Sequence, residues 1–488
     1  MITIPKKLML ISICIFFQIT TFAQTQKGAD IDGEAADDRS GGSVSMPDAN
    51  TLAIGAPRND GTANNAGHVR IYTWNGSYWQ QKGDDIDGEA ADDRSGCAVS
   101  MPDSNTIAIG AAFNDETATD AGHVRIYIWN GSNWQQKGDD IDGKNTNELL
   151  GLSISMPNDN TLAIGAPGYY GTATDIGLVR IYSWHDSAWI QKGADINGEA
   201  AGDQSGWSIS MPDENTLAIG AKYNKGTATD AGHVRIYNWN GSDWLQKGAD
   251  IDGKNTDELL GQSVSMPNSY TLAIGAPGNF GTGLVRIYSW HDSAWFQKGA
   301  DISGEAAGDQ SGWSVSLPDE NTVAIGAMGN SGTEPNSGQV KIYTWSGSNW
   351  LQKGGSLDGE AAGDQSGWSV SMPDSITVAI GAFLNDETGA NAGHVRVYSL
   401  DKTNSFEKTF GNQLTVFPNP TKDKVTIELG HNYNEISVII RNALGQEVMR
   451  TSFNKTNAFN LNIPDAPGLY ILELHSPEHK ALLKVLKN

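Results

Sequence analysis

Four histidines occupy one position of a repeated sequence unit, and imidazole is a common ligand for transition metals. These four residues are His68, His123, His233 and His394. The same repeat position holds Leu178, Leu284 and Gln339 in the other units. Because leucine cannot bind a metal, we predict a permissive position at the start of a strand, with no metal site and no cofactor.

A short acidic segment also recurs, and in its first copy it carries Asp30, Asp32, Glu34, Asp37 and Asp38. Calcium takes six to eight oxygen ligands, so such a run could bind this ion. In the third and fifth copies, however, lysines stand in the middle of the segment. The pattern favours Asx turns that reverse the chain, and a calcium site is the alternative.

Catalytic signatures are absent from the sequence. There is no Gly-x-Ser-x-Gly, no His-Glu-x-x-His, no phosphate loop and no dinucleotide fingerprint. Cys97 follows a repeated glycine where other units carry Trp207, Trp313 and Trp368, which indicates a packing position. Nearly identical units also disfavour the single unlike constellation that catalysis requires. We predict that the chain is not an enzyme.

Long, variable loops separate the second and third strand signals of each unit, and variation on one face of a repeat scaffold often marks recognition. These loops are the candidate ligand-binding face. The candidate residues are Asn59, Asp60, Asn114, Asp115, Tyr169, Tyr170, Asn224, Asn279, Phe280, Asn330, Asn385 and Asp386. The alternative is that the asparagines only set turns.

Seven copies of Gln-Lys-Gly, most of them 55 residues apart, define the units that carry these residues. Each unit has four strand signals, as in Ser43–Met46, Leu52–Ala56, Val69–Trp74 and Trp79–Lys82. Small residues fill the first two strands, whereas twelve of the fifteen tryptophans lie at two positions of the last two. This radial gradient predicts an all-β fold, a seven-bladed β-propeller, over residues 24–403.

Two further features of the propeller follow from the repeats. The third strands carry one cation each, such as Arg70 and Arg180, which we expect to be partly buried and paired with acids such as Asp30 or Asp32. The seventh unit ends at Leu400 without an outer strand, whereas an orphan copy stands at residues 26–31. We predict that this segment pairs with residues 394–400 and closes the ring.

The N-terminus and the charge indicate where the protein works. Residues 1–23 have two lysines, an apolar run and small residues before Gln24, which is typical of a secretory signal peptide. The formal net charge of −24 argues against a nucleic-acid partner. No later segment is long and apolar enough to span a membrane.

The last part of the chain differs from the repeats. Residues 404–413 are predicted to be a linker, and residues 414–488 contain short strand signals suited to a small C-terminal β-sandwich. This segment carries Phe417-Pro418-Asn419-Pro420, Asn442-Ala443-Leu444-Gly445-Gln446 and Pro467-Gly468-Leu469-Tyr470. It resembles the type A sorting domain of the type IX secretion system. The resemblance implies that residues 414–488 engage that machinery, and that the protein is secreted or held at the cell surface after removal of the tail.

The repeats resemble divergent integrin-type FG-GAP repeats. Gly-Ala is complete in every unit, from Gly55-Ala56 to Gly381-Ala382, but the family's Phe before an earlier glycine is missing. The family's calcium loop has shrunk to a turn such as Met46–Thr51, so the resemblance does not support calcium at its usual place. The sequence predicts an adhesion-type binding propeller with a glycan or protein ligand. A structural surface protein without a discrete ligand is the alternative.

Overall fold

The computed structural model describes residues 24–168, 175–278, 281–400, 414–442, 446–463, 466–476 and 480–488. The chain divides into two compact units, of which one spans Phe22–Leu400 and the other contains Asp401–Asn488. The predicted signal peptide and linker lie outside the described residues, so their boundaries stay predictions.

In the described residues, the first unit consists of seven five-stranded antiparallel sheets, which are the blades of the predicted propeller. Blades are numbered 1 to 7 in the order of their first strands, which are Ser43–Asp48, Ala98–Asp103, Ser153–Asn158, Ser208–Asp213, Ser263–Asn268, Ser311–Asp319 and Ser369–Asp374. The second strands are Thr51–Ala56, Thr106–Ala111, Thr161–Ala166, Thr216–Ala221, Thr271–Ala276, Thr322–Ala327 and Thr377–Ala382.

The third strands begin at the histidine position. They are His68–Trp74, His123–Trp129, Leu178–His185, His233–Trp239, Leu284–His291, Gln339–Trp345 and His394–Ser399. Each outer strand is broken into two short pieces, which in blades 1 to 6 are Trp79–Gln81 and Ile86–Asp87, Trp134–Gln136 and Ile141–Asp142, Ala188–Gln191 and Ile196–Asn197, Trp244–Gln246 and Ile251–Asp252, Ala294–Gln297 and Ile302–Ser303, and Trp350–Gln352 and Leu357–Asp358.

Small side chains let the first strands pack closely around the axis. Ser45 Oγ accepts a 3.0 Å hydrogen bond from the Met101 amide of the next blade, and Ser43 Oγ donates to the Gly96 carbonyl at 2.8 Å. A Cβ at Gly55 would stand 2.1 Å from the Gly96 carbonyl oxygen, so glycine is required at this crossing. The radial gradient of residue size is thus a direct requirement of the packing.

Bulky side chains fill the outer rim. Trp74 and Trp79 contact each other with ring centroids 5.5 Å apart. Lys27 Nζ lies 5.2 Å from both ring centroids, and the Trp79 indole donates to the Lys27 carbonyl at 2.7 Å. The same lysine–tryptophan clamp recurs around the propeller, and it joins the outer strand of each blade to the next blade.

The predicted ring closure is confirmed. Blade 7 takes its outer strand from the N-terminal segment, as Thr25–Gln26 and Ile31–Asp32. Gln26 pairs with Tyr398 and Ile31 pairs with Val395, so the first and last parts of the propeller share one sheet.

The predicted partners of the third-strand cations need correction. Arg70 is buried as expected, but it donates to the main-chain carbonyl of Asp32 and lies 3.4 Å from the Glu34 carboxylate. The Asp32 side chain is not its partner because the outer strand presents its backbone to the guanidinium. A carboxylate at the Asp30 position binds the arginine in blades 3 and 5, where Asp195 contacts Arg180 and Asp301 contacts Arg286.

The C-terminal unit is a single five-stranded sheet that folds around one core. Its strands are Thr415–Phe417, Lys424–Asn442, Glu447–Asn462, Gly468–His475 and Lys480–Lys487. Two of the predicted short strands are halves of the long strand Lys424–Asn442, and buried side chains from both halves, such as Ile427 and Ile440, enter the same core. The two layers of the small sandwich are therefore formed by strands that continue from one layer into the other.

Candidate ligand site

The asparagines of the long loops face the interior of the propeller. Asn59, with 6% of its surface exposed, donates from Nδ2 to the Asp38 carboxylate at 3.1 Å. Its Oδ1 accepts the Gly61 amide at 2.8 Å, so both ends of the side chain are engaged. In blades 2, 4, 6 and 7, Oδ1 of the equivalent asparagine also accepts a main-chain amide two residues further along its loop. These asparagines are Asn114, Asn224, Asn330 and Asn385. These five residues set the loops and are buried.

The aspartates beside them remain exposed on the loop surface. Asp60, Asp115 and Asp386 each accept one main-chain amide five residues further on and leave the rest of the carboxylate to solvent. Tyr169, Tyr170, Asn279 and Phe280 lie outside the described residues. Ligand binding by these loops stays a prediction, and the exposed aspartates are the residues that could contact a partner.

The acidic segment uses some of its carboxylates to form turns. Asp38 Oδ2 accepts the main-chain amide of Ala35 at 2.9 Å in addition to Asn59. Asp48, in the short turn between the first and second strands, likewise accepts the Asn50 amide at 2.7 Å. At both positions, the carboxylate stabilises a turn by accepting a main-chain amide of a nearby residue.

A cavity of about 460 Å³ opens at the end of the axis where the first strands begin. The second strands end at the same side, so this axial pocket shares its face with the long loops. The residue after each repeated glycine contributes to its wall, as Gly42, Cys97, Leu152, Trp207, Gln262, Trp313 and Trp368. A second group follows the Gly-Ala pairs of the second strands, as Pro57, Arg58, Phe113, Lys222 and Phe383.

Aromatic rings form one side of the axial pocket. Trp313 and Trp368 have ring centroids 4.8 Å apart, and Trp368 lies 3.9 Å from Phe383. Trp313 and Trp368 are each half-buried, so part of each ring faces the cavity. Flat apolar surfaces of this kind suit a ligand with an apolar face.

Cations lie against aromatic rings of the same pocket. Arg94 lies 4.0 Å from the centroid of Phe113, and Arg39 lies 5.5 Å from the centroid of Phe383. Burial and the neighbouring charge of Arg58 lower the pKa of Arg39, which shows that these guanidinium groups repel one another. The Nε atoms of Arg39 and Arg94 are buried without a hydrogen-bond partner. An anion between these groups would relieve the repulsion and accept their hydrogen bonds.

Lys222 is the most deeply buried cation of the axial pocket. It is 5% exposed, its Nζ lies 3.0 Å from the centroid of Trp207, and the same atom donates to Gln262 Oε1 at 3.1 Å. Burial holds the pKa of Lys222 well below its usual value. Burial therefore makes the protonated amine costly, and a negative charge in the pocket would offset this cost.

The interpretation of Cys97 and the three tryptophans as packing residues is incomplete, because they line a cavity. The Cys97 thiol is close to the Gly110 and Gly151 carbonyls, and burial raises its pKa to about 11, which disfavours a reactive thiolate. The sequence does contain a signal for this pocket. The residue after the repeated glycine differs in chemistry from unit to unit, whereas most of the repeat is nearly constant.

The histidines are brought together with groups of carboxylates from several parts of the blade. Each lies where the third strand of a blade meets both the connection from the preceding blade and the outer strand, a region called the seam of that blade. Four groups combine one histidine with carboxylates whose ligand atoms lie within 4.8 Å of one another. These seams are the places in the described residues where the side chains could hold a metal, and the expectation of no metal site at the histidines stays a prediction.

Comparisons with known proteins identify two parts of the chain. Residues 415–488 match the family described as the secretion system C-terminal sorting domain, and residues 357–398 match the FG-GAP repeat. Both resemblances are thereby confirmed. The protein is exported by the type IX secretion system, to the cell surface or into the medium. A comparison with curated proteins gave no match.

Several solved structures are similar to this chain. The β-propeller domain of the Trilobed protease from Pyrococcus furiosus has 11% identity and a TM-score of 0.40, with 70% of this chain and 90% of that chain covered. The PQQ-bound aldose sugar dehydrogenase from Streptomyces coelicolor has 7% identity and a TM-score of 0.38, covering 78% and 98%. The Trypanosoma rangeli sialidase has 10% identity and a TM-score of 0.34, covering 78% and 82%.

The prediction that the chain is not an enzyme is wrong, because it excluded catalysis on the basis of missing sequence motifs. A dehydrogenase and a sialidase stand among the similar propellers, so missing sequence motifs do not rule out catalysis. At these identities the likeness is one of fold and assigns no activity to this chain. In the described residues, no helix is long and apolar enough to cross a bilayer.

Proposed function

We propose that the protein is an exported glycan-binding propeller that holds an acidic sugar unit in the axial pocket. The observation that carries this proposal is a cluster of cations on aromatic rings in a chain whose net charge is −24. Random placement of charge on so acidic a protein would not gather Arg39, Arg58, Arg94 and Lys222 around one cavity. The pocket selects for negative charge.

The aromatic rings and the cations of the pocket match the apolar face and the acidic group of an acidic sugar. The C–H face of a pyranose ring can stack on Trp313 or Trp368, which bury large area at low entropic cost. A carboxylate or sulfate on the same ring can accept charge-assisted hydrogen bonds from Arg39 and Arg94. A cavity of about 460 Å³ is of the size that holds small ligands, which favours a sugar unit over a protein surface.

The long loops would extend the site beyond the pocket. They lie on the same face, and exposed side chains such as Asp60, Asp115 and Asp386 project from them. A longer glycan that enters the pocket with its acidic unit would cross this surface with its neutral units. Exposed carboxylates are suited to accept hydrogen bonds from sugar hydroxyl groups.

A glycan array tests the proposal. The chain without its predicted signal peptide, residues 24–488, would be probed against neutral, uronic, sialylated and sulfated glycans, and we expect binding to acidic members only. Arg94→Gln and Trp313→Ala should each lower the affinity at least tenfold. Arg450→Gln, an exposed site in the tail, is the matched control and should bind as the parent does.

Three outcomes would contradict the proposal. Equal binding of neutral and acidic glycans would show that the cations do not select the ligand. Unchanged affinity in Arg94→Gln and Trp313→Ala would place the ligand elsewhere. Binding of no glycan at all would favour a protein ligand or a structural surface protein without a discrete ligand.

A further inference from the structure

Each histidine seam gathers side chains from separate parts of the fold. In blade 7, His394 begins the third strand, Asp30 stands between the two pieces of the outer strand, Glu360 comes from the connection with blade 6, and Glu387 comes from the long loop. One ligand atom from each residue lies within 4.8 Å of the others. The backbone pairing of Asp32 with His394 fixes this approach.

The imidazole of His394 is unusual because it is fully buried and makes no hydrogen bond. Its exposed fraction is 0%, and neither Nδ1 nor Nε2 has a hydrogen-bond partner among the described residues. Nδ1 faces the cluster and lies 3.5 Å from Asp30 Oδ2. An unsatisfied ring nitrogen in the interior costs free energy unless it meets a hydrogen-bond partner or a metal, and a metal held by these carboxylates would use Nδ1 as a ligand.

Blade 2 contains the same constellation. His123, 1% exposed, has an unpartnered Nδ1 that lies 3.6 Å from Asp140 Oδ2 and 4.0 Å from Glu89 Oε2, with Glu116 as the fourth member. Zinc bonds of about 2.0–2.2 Å place neighbouring ligands of a tetrahedral site about 3.3–3.6 Å apart. The observed separations need only small movements of the exposed glutamates to reach this geometry.

From these two seams, we propose that the propeller binds a divalent transition metal such as zinc at His394, Asp30, Glu360 and Glu387, and a second at His123, Asp140, Glu89 and Glu116. Imidazole and carboxylate together suit zinc better than calcium, which prefers an all-oxygen set. These sites are separate from the axial pocket and do not depend on the proposed glycan function.

Other side chains orient the proposed ligands. Arg396 lies 3.2 Å from Glu360 Oε1, so the second carboxylate oxygen is left for the cluster. Asn385 Oδ1 accepts the main-chain amide of Glu387 and fixes the loop that carries this glutamate. A cavity of about 660 Å³ gives solvent access to the carboxylates.

The chain contains its own graded controls. Blades 1 and 4 keep the histidine and two carboxylates but have Gly61 and Gly226 where the complete sites have glutamate. Blades 3 and 5 have leucine in place of histidine, and there the arginine takes the aspartate instead. We therefore expect tight binding in blades 2 and 7, weaker binding in blades 1 and 4, and none in blades 3 and 5.

In blade 7 the metal would join the two ends of the propeller, because Asp30 precedes the first blade and the other three ligands belong to the last. Binding to the folded ring but not to the unfolded chain would stabilise it. Zinc should therefore raise the melting temperature of the parent protein. In the blade 2 site all four ligands lie between residues 89 and 140, so that metal holds a local segment.

The experiment is zinc titration of the chelator-treated chain without its predicted signal peptide, residues 24–488, followed by calorimetry and by metal analysis after dialysis. We expect two tightly bound zinc ions per chain, and one after either His123→Leu or His394→Leu, which introduce the residue found in blades 3 and 5. Glu387→Gly, which introduces the residue found in blade 1, changes only an exposed side chain and should weaken one site at least tenfold. His185→Leu, at an exposed hairpin, is the control and should retain two.

The proposal would be overturned if fewer than one zinc ion bound per chain, or if the double variant His123→Leu with His394→Leu still bound two. Displacement of zinc by an equal concentration of calcium would also overturn it, because the site would then lack the expected selectivity. A zinc-induced rise in melting temperature that vanishes in Glu387→Gly would support the site in blade 7 even if a histidine variant folded poorly.

Discussion

Buried cations have different partners at the seams and at the axial pocket. In the seam of blade 3, Arg180 contacts the carboxylates of both Glu148 and Asp195. In the axial pocket, Arg94 and Lys222 lie on aromatic rings, and within the described part of the chain neither forms an ion pair. Paired charges hold blades together, whereas cations left without a carboxylate are available to a ligand.

The seams also differ among themselves. With leucine at the start of the third strand, the arginine is enclosed and binds two acids; Arg180 and Arg286 are each 1% exposed. With histidine there, the aspartate faces the imidazole and the arginine contacts one half-exposed glutamate. The carboxylates of a seam are therefore placed in one of two ways. In the leucine seams they form ion pairs with a buried arginine, and in the histidine seams they lie close to the imidazole, where they could bind a metal together.

Removing the strand that closes blade 7 should have the largest effect on stability. Deletion of residues 24–32 removes four paired positions and the buried Ile31. At about 0.5–1.5 kcal/mol for each paired position and about 1.5–3 kcal/mol for the side chain, we expect a loss of roughly 3.5–9 kcal/mol. Thermal unfolding with light scattering would report this loss together with aggregation through the exposed edge. An unchanged melting temperature would contradict the closure.

The next effect distinguishes the two kinds of seam. Glu148→Gln leaves Arg180 buried without its main partner and should cost about 3–5 kcal/mol in the free energy of unfolding. Glu34→Gln, at a glutamate side chain that is 50% exposed, should cost less than about 1 kcal/mol. Urea unfolding of both variants makes the comparison. Equal losses would show that the two seams do not differ as described.

A smaller effect depends on pH. Burial, with help from Arg235, lowers the pKa of His233 to about 4, so the unfolded chain binds a proton between about pH 6.5 and pH 4 that the folded chain does not. Stability should be greatest above pH 6.5 and fall as the pH decreases through this window. In the presence of a chelator, His233→Leu should reduce the loss between pH 7.5 and pH 5 by about 2 kcal/mol. A parallel pH profile for variant and parent would refute this.

The smallest effect concerns the axial pocket. The lowered pKa of Lys222 means that the unfolded chain holds a proton which the folded pocket disfavours, so stability rises with pH toward the usual lysine value. Lys222→Met removes this cost and should stabilise the protein by about 1 kcal/mol at neutral pH, with a smaller gain at high pH. Denaturant unfolding at two pH values tests it. A destabilised variant would show that the amine contributes more than it costs.

Much of the fold could be predicted because each of the seven repeats places small and large residues at the same strand positions. The serines of the first strands indicate positions near the axis, and the tryptophans of the last two strands indicate positions near the rim. The orphan segment at residues 26–31 indicates that the N-terminal segment closes the ring. The fold of the tail was harder to predict, because nothing in the sequence shows that Lys424–Asn442 is one continuous strand.

The sites were harder to predict because they depend on contacts between units. Asn59 looked like an exposed loop residue, but its partner Asp38 comes from the preceding connection. The histidines looked permissive because leucine replaces them, although Asp30 and His394 meet only when the ring closes. The axial pocket combines residues from all seven units, so no motif within one unit could reveal it.

The most direct test of the account is a fluorescence titration with a matched pair of oligosaccharides, oligogalacturonate and oligogalactose, which differ in the carboxylate. Trp207, Trp313 and Trp368 line the pocket and should report its occupation. We predict a saturable change with oligogalacturonate that is at least tenfold weaker for Arg94→Gln, and no saturable change with oligogalactose. The same response to both sugars, or a response that persists in Arg94→Gln, would contradict an anion-selective axial pocket.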